Sequence, residues 1–486
     1  MAHNLTFLDQ LKLGAQTAFD SAADMINPTI RLGVTGLSRS GKTVFITSLI
    51  HQLLSQERLP QLKAKQSNRI KAVYIEPQPN DLIPTFNWQN HLDDLKGRAR
   101  KWPSSTRHIS QIRLVIEYET EHLIARHMGH SRLTIDIIDY PGEWLLDLPL
   151  MSKSFSQWSE EMLSKARQEA RLSISAPWLD YLESLDLSQE WDEQTAAHCT
   201  SLYTNYLREG REAHFALSTL SPGRFLMPGD MEGSPALTFC PLPMLEQKPP
   251  QRSLYVEMER RYNAYKHQII RPFYRDHFAM LDRQVILVDV VSALNAGYGA
   301  MQDLQDALEQ ILKSFKVGQS DIISSLFTRK IDMLTIAATK ADHIHHSEHD
   351  KLIDIVKSLT QRAYGSNIAD ISIEYQAIAA IRSTKEAKME EGGEQLPVLI
   401  GIAEKGEQLD GVLFDGETET AIFPGSLPAC SDLVFKPEHE TSEFGAEDYR
   451  FIKFRPPLLS EQKSYKSFPH IRMDNILEYL LGDKLA

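Results

Sequence analysis

The residues with the clearest chemical content lie in GLSRSGKT, Gly36 to Thr43, which fits the pattern G-x-x-x-x-G-K-[ST]. Backbone amides from Ser38, Arg39, Ser40, Gly41, Lys42, Thr43 and Val44 can cradle phosphate oxygens in such a loop. The Lys42 ammonium can reach the β and γ oxygens, and the Thr43 hydroxyl can reach Mg²⁺. Arg39 is the unusual member, because many such loops carry something small or uncharged there.

Further stretches supply what a phosphate loop lacks. In DYPG, Asp139 to Gly142, an aspartate can hold a Mg²⁺-bound water and the Gly142 amide can approach a γ-phosphate with no side chain in the way. TKAD, Thr339 to Asp342, matches [NT]-K-x-D. The Asp342 carboxylate can accept two hydrogen bonds from the N1–H and 2-amino groups of guanine, which adenine cannot offer, while the Lys340 stem lies along the ring. Ala379, Ala380 and Ile381 end a strand-like run where backbone amides can meet the guanine O6. In KWPSSTRHIS a hydroxyl just ahead of a strand can give Mg²⁺ a second oxygen, and Thr106 is chosen over Ser104 and Ser105. The set implies GTP or GDP with Mg²⁺. Thr43, Thr106 and Asp139 are the metal residues, and Thr339, Lys340 and Asp342 recognise the base.

These residues need a scaffold that brings distant loops together. A short apolar run, Ile30 to Thr35, precedes the glycine loop and an amphipathic run, TVFITSLIHQLLSQ, follows it. Strand, loop and helix in that order are the setting a phosphate loop requires. Ile109–Tyr118 and Leu133–Asp139 read as strands close enough in sequence for an antiparallel pair. Gln284–Val291, Met333–Ala338 and Ile371–Ala379 are further strand-like runs separated by helical patterns. Such alternation predicts an α/β fold, a P-loop NTPase domain with a mostly parallel sheet flanked by helices. Two segments interrupt it. The first is a predominantly helical stretch too long for a loop, and the second is a smaller β-containing α+β insertion. The expected organisation is an N-terminal helix (1–28), a nucleotide domain in two parts (29–142 and 283–385), a helical insertion (143–282), the β-containing insertion (386–468) and a closing helix (469–486).

Bulk properties narrow the partners. A chain of 486 residues with 42% hydrophobic and 24% charged residues is an ordinary globular protein rather than a disordered or fibrous one. Its net charge of −13 argues against nonspecific binding to nucleic acid or anionic membranes, although a local basic patch is compatible with it. No apolar run is long enough for a transmembrane span. The N-terminal amphipathic pattern reads as a helix packed on the main domain, with peripheral membrane contact as the alternative. Cys199, Cys240 and Cys430 are odd in number and far apart in sequence, so neither a disulfide framework nor a zinc knuckle is expected, and a reducing cytoplasm fits. The histidines of HIHHSEHD, at 343, 345, 346 and 349, match no standard zinc spacing and read as a solvated helix start.

The four nucleotide elements in order resemble the Ras-like superfamily of small GTP-binding proteins. The particular set GLSRSGKT, WPSSTRHI, IDYPGEW and TKAD with two large insertions is similar to the YcjX-like family of bacterial stress-associated GTP-binding proteins over essentially the whole chain. The resemblance implies a Mg²⁺-dependent guanine-nucleotide switch in the bacterial cytosol, linked to envelope or heat stress. In many Ras-like proteins a glutamine after D-x-x-G orients the attacking water, whereas this chain has Glu143. A carboxylate there is repelled by the γ-phosphate, so hydrolysis calls for added positive charge. Arg39 sits where guanylate-binding and atlastin-type GTPases carry an arginine finger, which acts once two nucleotide domains meet and accelerates transfer by about 10³ to 10⁵. That implies a nucleotide-dependent homodimer. The other reading of Arg39 is an exposed arginine paired with a nearby acid. The catalytic candidates are Arg39, Lys42 and Glu143. The helical insertion is the expected dock for a protein partner, and the rival reading is a GTP-binding scaffold with negligible hydrolysis.

Overall fold

A computed structural model describes residues 27–37, 39–104, 106–121, 131–245, 247–314, 331–364, 371–391, 394–435, 449, 451–459 and 466–486. The N-terminal helix expected over 1–28 therefore falls almost wholly outside the described residues. Seven strands form the main sheet: β1 (Thr29–Gly36), β2 (Ile70–Glu76), β3 (Ser110–Tyr118), β4 (Ser131–Asp139), β5 (Arg283–Val288), β6 (Met333–Ala338) and β7 (Ser372–Ala377). Their order is β2-β3-β4-β1-β5-β6-β7. Pairing is parallel from β4 through β1, β5 and β6 to β7, while β2–β3 and β3–β4 are antiparallel.

Side-chain alternation along these strands divides the core into two layers. On one face Ile30, Leu32, Val34, Ile135, Ile137, Val285 and Leu287 meet α1 (Lys42–Ser55) and the closing helix α9 (Met473–Leu481). On the other, Ile138, Ile286, Val288, Leu334 and Ile336 meet α7 (Tyr298–Ser314) and α8 (His349–Tyr364). The same second layer runs without a break into the helical stretch after Gly142. That stretch includes α3 (Phe155–Ala166), α4 (Glu169–Ser184), α5 (Glu193–Gly210) and α6 (Leu254–Tyr265). Its aromatic centre is Trp158 stacked on Tyr262 at 5.0 Å and Trp178 against Tyr203 at 4.7 Å. A complete capping box, Ser154 with Gln157, starts α3.

Three differences from the sequence reading have local causes. β2 was not foreseen; it is an edge strand in which Ile70 alone is buried and Ile75 is exposed, so its sequence IKAVYIE lacks a clean apolar face. The strand expected to reach Val291 ends at Val288, because the Asp289 side chain caps a short helix, Val290–Asn295. Within the helical insertion, α6 passes into a π turn at Lys266–Ile270 ahead of Pro272 in place of a continuous α-helix. Beyond β7, β8 (Lys385–Glu391), β9 (Glu394–Ile402) and β12 (Glu419–Ile422) form a small antiparallel sheet, with a two-residue hairpin of β10 (Gln408–Leu409) and β11 (Val412–Leu413) beside it. An isolated bridge from Ala403 to Phe454 ties a later segment to this sheet.

Candidate functional site

The C-terminal ends of the parallel strands open into one cleft of about 260 Å³. It gathers Arg39, Ser40, Gly41, Lys42, Thr43, Val44, Thr106, Gly142, Glu143, Thr339, Lys340, Asp342, Ala379, Ala380 and Ile381 from five separate stretches of chain. Ser38 lies outside the described residues, as does Ser105. A position at the carboxyl edge of a parallel sheet is where open α/β folds bind ligands.

The phosphate end is built by the turn from β1 into α1. Arg39 and Gly41 both hold positive φ, 65° and 78°, which turns the chain sharply enough for α1 to begin at Lys42. No side chain caps that start, so the first-turn amides and the positive end of the helix dipole face the cleft. The Ser40 hydroxyl is buried without a hydrogen-bond partner, pressed against Gly36, where an added Cβ would lie 1.9 Å from it. Gly142 is closer still: a Cβ there would stand 1.7 Å from the Gly36 carbonyl oxygen. Glycine at 142 is thus demanded by backbone packing, and its amide is held next to the phosphate loop.

Oxygen donors cluster beside Lys42. The Lys42 ammonium is ion-paired with Asp139, and both side chains are buried. The Thr106 hydroxyl donates to Asp139 Oδ2 at 2.9 Å and lies 3.2 Å from the Thr43 hydroxyl. Octahedral Mg²⁺ with bonds of about 2.0–2.1 Å places neighbouring oxygens about 2.9 Å apart. The Thr43 and Thr106 hydroxyls, 3.2 Å apart, have close to that spacing, and the Asp139 carboxylate beside them is placed to accept from a metal-bound water, so the donor set fits the ion.

The base end is assembled around Asp342. Its Oδ2 accepts from the Ser383 amide at 2.7 Å and the Ser383 hydroxyl at 2.5 Å. Lys340 adopts positive φ and reaches Asp289 at 2.5 Å and Ser292 at 3.0 Å, which holds its stem across the cleft. The Ala379 amide is committed to the Ile471 carbonyl at 3.2 Å, so Ala379 cannot give that N–H to a ligand. Ala380 and Ile381 line the same wall.

Several cleft residues were not singled out by the sequence. Trp102, Lys453 and Phe454 line the cleft; Trp102 donates its indole N–H to the Phe454 carbonyl at 2.8 Å, and His343 meets the Phe454 ring edge-on at 5.5 Å. Burial lowers the pKa of His343 and so favours the neutral ring. At the phosphate end, Arg211 enters from the end of α5 and its Nη2 lies 2.9 Å from the Glu143 carboxylate. The neighbouring Glu212 pairs with Arg39 at 3.0 Å across a mostly exposed contact. Two consecutive residues of the helical stretch thereby hold two of the three catalytic candidates, Arg39 and Glu143. Arg39 is thus paired with an acid across a partly exposed contact.

Of the four histidines read as a solvated helix start, only His346 is largely exposed: His349 is buried and bonds the Ala341 carbonyl at 2.9 Å, His343 lines the cleft, and the His345 side chain is 14% exposed. The described residues include no helix long and apolar enough to cross a membrane.

The family model described as "YcjX-like family, DUF463" matches residues 30–485. A protein of Escherichia coli (strain K12) named Ras-like GTPase YcjX is 36% identical over 469 residues, covering 94% of this chain and 96% of that protein. A protein of the same name from Shewanella oneidensis is 33% identical over 478 residues, with 94% of each covered.

Proposed function

The chain belongs to the YcjX-like family, and on that premise we propose that it binds GTP with Mg²⁺ and hydrolyses it to GDP and phosphate, acting as a nucleotide switch in the bacterial cytoplasm during stress. The observation that carries the reading is the distribution of chemistry along one cleft. An oxygen cluster, Thr43–Thr106–Asp139, stands beside Lys42 at one end and the Asp342 carboxylate stands at the other.

In this reading the first-turn amides of α1 and the Lys42 ammonium bind the phosphates, Lys42 exchanging Asp139 for phosphate oxygen. Thr43, Thr106 and Asp139 hold Mg²⁺, which when bound neutralises charge on the β and γ phosphates. Asp342 accepts from the guanine N1–H and 2-amino groups, the Lys340 stem covers one ring face, and the Ala380 or Ile381 amide meets O6. Hydrolysis forms a bond from water oxygen to the γ-phosphorus as the bond to the β–γ bridging oxygen breaks, and the water proton leaves with the phosphate product. Arg39 and Arg211 supply positive charge near the transferring group. Loss of the Thr106 and Gly142 contacts after hydrolysis frees the segments on either side of the cleft. Because residues 143–282 follow Gly142 directly, we assign the partner dock to that helical insertion within the domain division given above.

One observation favours the second reading, a GTP-binding scaffold with negligible hydrolysis: Glu143 is engaged by Arg211 instead of being turned to a water. The hydrolysis rate per molecule, measured over a wide range of protein concentration, separates the two. A rate that rises with concentration and falls by about 10³ in Arg39→Ala supports dimer-assisted catalysis. A flat rate no faster than that of free GTP supports the scaffold. Failure of GTP to outcompete ATP for binding refutes the guanine assignment in both.

A further inference from the structure

A second cluster of ligating atoms lies on the outer surface beyond the guanine motif. His345 caps and His346 opens the short 3-10 turn His346–Glu348, and β8 brings Glu386 against them from forty residues beyond His346. His346 Nδ1 is 2.6 Å and His345 Nε2 is 3.8 Å from the same oxygen, Glu386 Oε2. The ligand atoms of these three residues all lie within 4.8 Å of one another. We propose that His345, His346 and Glu386 form a binding site for a borderline divalent transition ion of the Zn²⁺ class, separate from the Mg²⁺ donors of the cleft.

The geometry favours this ion class on three counts. Bonds of about 2.0–2.1 Å in a tetrahedral shell place donors roughly 3.3 Å apart, and the observed 2.6 and 3.8 Å straddle that value, so small side-chain shifts suffice. Two imidazoles with one carboxylate suit Zn²⁺, Co²⁺ or Ni²⁺, whereas Mg²⁺ prefers an all-oxygen shell. Outer-shell partners are already in place. The other nitrogen of His345, Nδ1, lies 2.8 Å from the Ser347 hydroxyl, to which it would donate with Nε2 on the ion, giving up the bond it accepts from the Ser347 amide at 3.4 Å. The second oxygen of Glu386 is taken by the His346 amide at 3.2 Å and by Arg382 at 3.4 Å, which leaves Oε2 as the single donor. The Arg382 charge opposes a cation and weakens the site without blocking it. His346 is mostly exposed, so water completes the shell. An ion here would staple the segment after Asp342 to β8, three residues from the Ser383 that holds Asp342.

The test needs no nucleotide, so its outcome is independent of the GTPase reading. Tag-free full-length protein is stripped with chelator and titrated with Zn²⁺ in excess Mg²⁺, with bound metal measured after dialysis and Co²⁺ used as an absorption probe. The chain has 17 histidines, so variants assign the site. One equivalent is expected in the wild type and in His108→Ala, and binding weaker by roughly tenfold or more in His346→Ala and in Glu386→Gln. Melting of the metal-free variants checks their fold, and exposed His346 decides if the Glu386 variant is unstable. No stoichiometric binding, or an equivalent that His346→Ala leaves unmoved, overturns the proposal.

Discussion

Asp342 carries recognition through its charge as much as its position. Ser383 holds one carboxylate oxygen by two hydrogen bonds, so the side chain cannot rotate away from the cleft to seek water. Two charge-assisted hydrogen bonds to a guanine at about 1.5 kcal/mol each make the pair worth about 3 kcal/mol. Asp342→Asn is therefore expected to weaken GTP binding by about 10² while leaving the melting temperature nearly unchanged, because Ser383 still finds an acceptor. Titration with a fluorescent guanine nucleotide checks it; an affinity within about threefold of wild type would contradict the assigned role. Lys42 illustrates a different residue-scale rule. A buried ammonium must be paired, and Asp139 is the partner the fold provides.

At the scale of elements, the segment after Gly142 is locked to the helical stretch by backbone contact and charge. A Cβ on Gly223 would lie 1.9 Å from the Glu143 carbonyl oxygen, so the two chains touch directly. Arg211 and Glu212 at the end of α5 then reach Glu143 and Arg39. The two ion pairs differ in burial, and their loss should differ accordingly. Arg211→Ala leaves the Glu143 carboxylate, 8% exposed, without its cation and should cost about 1–3 kcal/mol. Glu212→Ala removes a pair that is largely exposed and should change stability by less than about 1 kcal/mol; urea denaturation of both compares them.

The same junction contains Asp147, which accepts from the Gly223 amide at 2.7 Å and the Tyr265 hydroxyl at 2.6 Å. Burial pushes its carboxyl up to about 6 in spite of those bonds. Its folded pKa thus exceeds its unfolded value, so its contribution to stability is fully present below about pH 3.9 and is lost as pH rises through about 6. Asp147→Asn should gain about 2 kcal/mol on the wild type between pH 4 and pH 7. Denaturation curves across that range check it, and a difference that does not vary with pH would show that the carboxylate is solvated.

For the whole molecule, the chain end is a structural part of the core. Met473, Ile476, Leu477, Leu480, Leu481 and Leu485 are buried on the same face as α1. Buried Arg283, at the start of β5, pairs with Asp483 at 2.6 Å. Burial of six such side chains contributes on the order of 10 kcal/mol, as much as the whole net stability of a typical fold. A chain ending at Arg472 is expected to show no cooperative thermal transition by circular dichroism. A normal melt would mean that α9 docks only loosely. The same scale explains how Phe454 comes to line the cleft, through its bridge to Ala403 beside the small sheet.

What the sequence by itself determined is whatever physics makes local. The phosphate loop is eight contiguous residues between a strand and a helix, TKAD follows β6 directly, and short strand-like runs rich in apolar and β-branched residues marked β3, β4 and β6. Each is a short-range pattern with a period or a fixed offset, and all meet in the cleft because parallel strands end on one edge. Only the tertiary structure decided the partners that come from far along the chain: Arg211 on Glu143, Glu212 on Arg39, Phe454 in the lining of the cleft, Glu386 beside two histidines, and Cys199 with its sulfur 2.8 Å from that of Cys240. These pairs have no characteristic spacing, because loop closure places few limits on how much chain lies between two contacting residues. Edge strand β2 was illegible for a related reason: a half-buried strand leaves little hydrophobic pattern to read.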